Sequence, residues 1–147
     1  MSDRSSNARK RALRRLAREC HADYALIYEE IRPAAGRRDR ARGQAWTQLR
    51  YKHPDRYLEL YAEESVAPGT EIPADIRSKS WQRSVAILAN LKQREYRELY
   101  EGFRALGMPK ARAYDRAMAG IRKANGDLFT EILTREYELW LAVGARS

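Results

Sequence analysis

Sliding this sequence by 72 positions lays residues 12 to 75 over residues 84 to 147 without a gap, so whatever it folds into must accommodate one pattern twice. Under that shift Leu16 meets Leu88, Tyr24 meets Tyr96, Tyr28 meets Tyr100, Glu29 meets Glu101 and Arg32 meets Arg104. Farther on, Arg40 meets Arg112, Ala41 meets Ala113, Ala45 meets Ala117, Arg50 meets Arg122, Asp55 meets Asp127 and Tyr57 meets Phe129. The halves read as two copies of one module, and the function is to be sought in that module. A fainter echo at 33 positions aligns Ala12, Leu16, Tyr24 and Tyr28 with Ala45, Leu49, Tyr57 and Tyr61, which suggests a helical hairpin as the smaller unit. The i, i+3, i+4 spacing of Tyr57, Leu60 and Tyr61 puts them on one helix face, where core packing is the plainer role.

This periodicity predicts an all-α protein. The first copy is expected to carry a helix over 8–32, broken near Cys20 to Asp23 and ended by Pro33 to Gly36, then a helix over 38–52. His53-Pro54 stops that helix, and Asp55 is placed to cap the next one, over 56–64. In the second copy Asn125-Gly126 is expected to supply a left-handed stop and Asp127 the cap. Pro68, Gly69 and Pro73 mark a linker over 65–80, with Ser80 capping a helix from 81 to about 105. The resulting division is a basic N-terminal arm over 1–11, a first module over 12–64, the linker, and a second module over 81–147. A half of roughly 65 residues buries only ~60% of its unfolded surface, so the two are expected to pack together as a pseudo-symmetric bundle.

One cysteine excludes an intramolecular disulfide, and with two histidines the chain lacks the four Cys/His ligands of a usual zinc site. No metal and no cofactor is expected. No apolar run approaches the ~20 residues of a membrane span, and a cytoplasmic protein is expected. The charge is +9, from 29 Lys and Arg against 20 Asp and Glu, and both halves are basic: 15 basic and 10 acidic groups in 1–64, 14 and 10 in 65–147. Such a field favours polyanions, although an arginine-rich, alanine-rich composition also arises without selection for binding.

The charge is concentrated in three places. Arg4, Arg9, Lys10, Arg11, Arg14, Arg15 and Arg18 run through the N-terminus, with Arg11, Arg14 and Arg15 as candidates to hold phosphates or a minor groove. The turn Arg104-Ala-Leu-Gly107-Met108-Pro109-Lys110 has the cadence of a helix-turn-helix: Gly107 supplies a positive φ, Met108 plugs the angle and Pro109 opens the next helix. Beyond it Ala113 and Ala117 face inward, leaving Lys110, Arg112, Tyr114 and Arg116 to meet DNA. The first copy repeats this from Ala35-Gly36, with Arg37, Arg38, Arg40 and Arg42 as phosphate or guanine contacts and Gln44 as an adenine reader. Each turn is equally compatible with a plain helical-hairpin corner, which duplication copies as faithfully as a reading head.

The string Ala45-Trp-Thr-Gln-Leu49-Arg-Tyr-Lys-His53-Pro54-Asp55-Arg-Tyr57-Leu-Glu-Leu60-Tyr61-Ala-Glu63-Glu64 resembles a motif of small helical, helix-turn-helix-like proteins of actinobacterial phages and mobile elements. The resemblance covers the repeat unit. It implies a source more than an activity and carries over no catalytic residues. Its absence at Asn125-Gly126 implies a structural turn there rather than a site at His53.

Catalysis needs convergent groups, and the carboxylates Glu29, Glu30, Glu63, Glu64, Glu95 and Glu98 are expected on helix faces as solvated partners of arginine. A non-enzymatic, sequence-specific duplex-DNA-binding regulator, repressor or recombination factor is therefore expected, as monomer or homodimer. The alternative is a helical module that binds a host or phage protein through Trp46, Trp81, Tyr51, Tyr114 and Trp140.

Overall fold

The structure, a computed structural model, describes residues 2–69 and 71–146, with side chains described over 7–69 and 71–143. Every regular element among them is an α-helix. One unit, residues 1–70, holds α1 (Ser2–Glu19), α2 (His21–Ala35), α3 (Arg38–Lys52) and α4 (Pro54–Val66). The other, residues 71–147, holds α5 (Ala74–Leu91), α6 (Gln93–Ala105), α7 (Lys110–Ala124) and α8 (Gly126–Arg146). Each helix of the second unit begins 72 residues after its counterpart: Ser2 and Ala74, His21 and Gln93, Arg38 and Lys110, Pro54 and Gly126.

In the first unit α1 packs along α4, α2 packs along α3, and α1 also touches α3. The sequence dictates this through residues spaced by four, which fall on one helix stripe. Ala8, Ala12 and Leu16 of α1 and Ala41, Ala45 and Leu49 of α3 are buried in this way, while α4 buries two sides, Tyr57 and Leu60 on one and Leu58 and Ala62 on another. Near the corner, Ile31 and Ala35 of α2 meet Ala41 and Ala45 of α3, with Tyr24, Ile27 and Tyr28 partly covering them.

The second unit pairs α5 with α8 and α6 with α7. Its buried side chains are Ile72, Ser80, Ser84 and Leu88, then Ala113, Ala117, Met118 and Ile121, then Phe129, Thr130, Ile132, Leu133, Glu136 and Tyr137. Tyr96 and Tyr100 stack at 6.0 Å between ring centroids, as do Tyr24 and Tyr28 in the first unit.

Within each unit two of the three helix junctions are a single residue. Cys20 (φ −109°, ψ 44°) and Lys92 (φ −112°, ψ 39°) bend the chain alike. So do His53 (φ −127°, ψ 62°) and Asn125 (φ −125°, ψ 43°). The ladder loses nothing at these bends: the Cys20 amide donates to the Leu16 carbonyl at 2.8 Å, and the Cys20 carbonyl accepts from the Tyr24 amide at 2.9 Å. The third junction is the α2–α3 or α6–α7 corner, where Gly36 (φ 76°) and Gly107 (φ 90°) take the left-handed conformation.

Several expectations are corrected. The basic arm over 1–11 is helical from Ser2 onward, because Ala8 and Ala12 extend the apolar stripe of α1 (Met1 lies outside the described residues). The linker is shorter than 65–80: α4 runs to Val66, and α5 starts at Ala74 behind Pro73, whose φ of −54° suits a helix start. Ser80 is no cap but a buried residue in the middle of α5. The helix expected over 81–105 is divided at Lys92. Asp55 and Asp127 sit in the first turns of α4 and α8 rather than capping them, and Gly126 is helical rather than left-handed. The stop expected at Pro33 to Gly36 is found, with Pro33 in the last turn of α2 and Gly36 at its C-cap.

The two kinds of glycine give opposite predictions. Gly107→Ala meets no steric neighbour but must hold a left-handed backbone, and is expected to cost about 1–2 kcal/mol. Gly43→Ala in α3 also has open space and a helical backbone, and is expected to stabilise by about 0.5–1 kcal/mol. Urea unfolding of the two variants checks the pair of signs.

Candidate nucleic-acid interface

The cations of this protein divide into those the fold consumes and those it leaves outside. Glu63 and Glu64 of α4 are buried, contrary to the expectation of solvated glutamates. A buried carboxylate needs a paired cation. Arg11 Nε lies 2.7 Å from Glu64 Oε1, and Arg15 places Nη1 3.0 Å from Glu64 Oε2 and Nη2 3.2 Å from Glu63 Oε1. The Gly69 amide donates to both Glu64 carboxylate oxygens at 3.3 Å, fastening the chain just after α4. Arg56 completes the network, 2.6 Å from Glu19 and 3.5 Å from Glu63, and these carboxylates push its pKa further up. Arg11 and Arg15 are thus internal ion-pair partners in this fold rather than free phosphate contacts, a correction to their sequence assignment. Arg14, between them, is exposed.

The second unit keeps one member of this network. Arg83 and Glu136, 72 residues after Arg11 and Glu64, pair at 3.1 Å. Elsewhere it departs: Ile87 stands at the position of Arg15, Leu91 and Leu128 at those of Glu19 and Arg56, and the exposed Arg135 at that of Glu63. The recurrence of Arg11 and Glu64 as Arg83 and Glu136 is the sequence signal that marks Arg11 as an internal partner.

The α2–α3 corner is not an open helix-turn-helix. At the far end of the hairpin His53 Nε2 lies 2.9 Å from Asp23 Oδ2, and Lys52 Nζ lies 3.3 Å from Asp23 Oδ1. Two helices of 15 residues are each about 22 Å long, so arms joined at the corner and again by these contacts run nearly antiparallel. The near-perpendicular crossing of a helix-turn-helix cannot satisfy both ends. The second unit closes its hairpin in the same place, with Asn125 Nδ2 donating to Glu95 Oε2 at 3.1 Å and to the Ile121 carbonyl at 2.9 Å. The His53 and Lys52 bonds hold the Asp23 carboxyl below its ordinary pKa. Burial and the neighbouring Glu19 and Asp23 raise the Cys20 thiol, which disfavours the reactive thiolate.

Outside this framework, Arg37, Arg38, Arg40, Arg42 and Gln44 of the first hairpin are exposed, and so are Lys110, Arg112 and Arg116 of the second. Arg42 lies 4.0 Å from Asp39 and 5.3 Å over the Trp46 ring. Tyr114 is 47% exposed and packs edge-on to Tyr96 at 6.0 Å, so its ring belongs partly to its own hairpin. Arg38 and Lys110, and Arg40 and Arg112, lie 72 positions apart. The tryptophans form no exposed cluster: Trp46, Trp81 and Trp140 are half-buried, each beneath a cation supplied by Arg42, Arg122 and Lys79 respectively. Tyr51, at 71%, is the most exposed aromatic ring among the described residues.

Among the described residues no group of three or more His, Cys, Asp or Glu is arranged to hold a metal ion, and no helix is long and apolar enough to cross a membrane. Comparison with known protein families, curated proteins and solved structures returns no match to this chain.

Two predictions follow from the internal charges. Glu64→Gln leaves two arginines facing a neutral amide and is expected to cost about 3–5 kcal/mol, as for other broken buried pairs, with faster hydrogen exchange in α1 and α4. Glu136→Gln costs less, because Arg83 is largely exposed. For Asp23, the folded pKa lies below the unfolded value of about 3.9, so its contribution is present above that value and is lost as pH falls through the folded one. Asp23→Asn should therefore flatten the fall in urea midpoint below about pH 4, where wild type steepens.

Proposed function

We propose that this protein binds duplex DNA through the outer faces of α3 and α7, as a regulator, repressor or recombination factor of a phage or mobile element acting in the bacterial cytoplasm. The observation that carries the reading is the set of cations at matching positions of the two units. Arg38 and Arg40, and Lys110 and Arg112, are exposed and take part in no ion pair among the described residues, while other arginines are engaged internally. That the halves descend from one duplicated module belongs to the same proposal, supported by four helix starts spaced 72 apart.

The chemistry is that of a phosphate-gripping protein with a few base readers. Arginine and lysine near the corner displace condensed counterions from the backbone. Gln44 has the amide geometry to pair with adenine, and Arg116 the guanidinium fork for guanine O6 and N7. The competing reading, a helical module that docks on a host or phage protein through Trp46, Trp81, Tyr51, Tyr114 and Trp140, has less support because the three tryptophans are half-buried, which leaves only Tyr51 and Tyr114 exposed.

Selection from a random duplex pool at several salt concentrations tests the proposal. An enriched two-part site is expected, and a variant carrying alanine at Arg38, Arg40, Lys110 and Arg112 should lose it. The slope of log affinity against log salt should fall by about 3.6, at roughly 0.9 per lost phosphate contact. Sequence-blind binding that the variant retains unchanged would sink the model.

A further inference from the structure

The structure sorts the cations of α1 into two rows. Arg11 and Arg15 flank the buried stripe of Ala8, Ala12 and Leu16 and are held by Glu63 and Glu64. Lys10, Arg14 and Arg18 are exposed. At 100° per residue these three lie opposite the buried stripe, about 6 Å apart along the axis. None of them has an ion-pair or hydrogen-bond partner among the described residues.

Like charges four residues apart on a helix repel, so such a row weakens α1 unless something outside compensates it. The second unit is the internal control. It builds the same helix at α5, with Leu88 buried where Leu16 is, yet carries Gln82, Ala86 and Asn90 at the positions of Lys10, Arg14 and Arg18, all exposed. The module therefore does not need cations there.

We infer that the outer face of α1 is a further contact surface for the sugar-phosphate backbone of duplex DNA, present in the first unit only. The inference rests on the DNA-binding reading and adds to it a surface outside the two hairpins. Regular spacing on a rigid helix suits a polyanion with regularly spaced charges. A lipid surface is disfavoured, because a membrane-lying helix needs an apolar face free for insertion. The apolar stripe of α1 is already buried.

The second unit also supplies the test: in the full-length protein, Lys10→Gln, Arg14→Ala and Arg18→Asn give α1 the residues that α5 already tolerates. Affinity for a defined duplex is measured by fluorescence anisotropy between 50 and 200 mM salt, and for vesicles of equal phosphatidylcholine and phosphatidylserine alongside. If the three cations contact phosphates, the salt slope falls by about 2.7, so that wild type weakens about 40-fold more than the variant over this range. An unchanged slope in a variant that still binds duplex overturns the α1 surface and leaves the hairpin reading standing. Wild type that binds the vesicles more tightly than the duplex overturns it in favour of a membrane. Wild type that binds no duplex at all removes both readings.

Discussion

Glu64 is buried in α4, and its carboxylate is shared between two arginines of α1 and the amide of Gly69. An uncompensated charge in that position costs several kcal/mol, so the pairing is a condition of packing α1 on α4 at all. It also fixes the rotation of α1 about its axis. With Arg11 and Arg15 committed inward, Lys10, Arg14 and Arg18 have no course but outward. The electrostatic character of the first unit's surface follows from an ion pair inside it.

The two units show how much of that arrangement the fold requires. Arg83 and Glu136 pair in the second unit as Arg11 and Glu64 do in the first, so this contact is common to both. Arg15, Glu19 and Arg56 give way to Ile87, Leu91 and Leu128, and Glu63 to the exposed Arg135, so neighbouring positions accept hydrocarbon or a different ion. Replacing a buried ion pair by apolar residues is often neutral in energy, which accounts for two solutions on one backbone. The hairpin ties behave likewise, with Asp23–His53 in one unit and Glu95–Asn125 in the other. What persists is a polar bridge at that point, not its chemistry.

Helix content, the break near Cys20, the helix over 38–52 and the left-handed Gly107 were legible, because each depends on residues within a turn or two of one another. The start of α5 is not legible locally, because serine suits both a cap and a tightly packed helix. Only Ser80 and Ser84 taken with Ala8 and Ala12, 72 positions earlier, reveal the buried small-residue stripe. The sorting of α1's cations was illegible for a different reason. Arg14 and Arg15 differ by 100° of helix rotation, and the partner that separates them lies 49 residues away on α4. The open crossing expected at the corners failed on the same ground, since the bonds closing each hairpin join residues 30 apart.

An antiparallel hairpin changes how α3 and α7 can meet a groove. The partner helix covers one side along the whole length and leaves the outer face and the corner open, and each helix carries cations at that corner as well as in its last turn. Arg37, Arg38 and Arg40 lie at the N-terminus of α3, and Lys110 and Arg112 at that of α7. Helix N-termini carry the positive end of the macrodipole, where each cation costs about 0.3–1 kcal/mol and an acid would stabilise. The second hairpin has no acidic residue in that turn and the first has only Asp39. A local cost incurred at the same place in both units is poorly explained by helix stability. It is well explained by an anion outside the protein, for which helix dipole and side-chain charge act in the same direction. On the proposed reading, DNA phosphate is that anion, met by the corner end of each outer face.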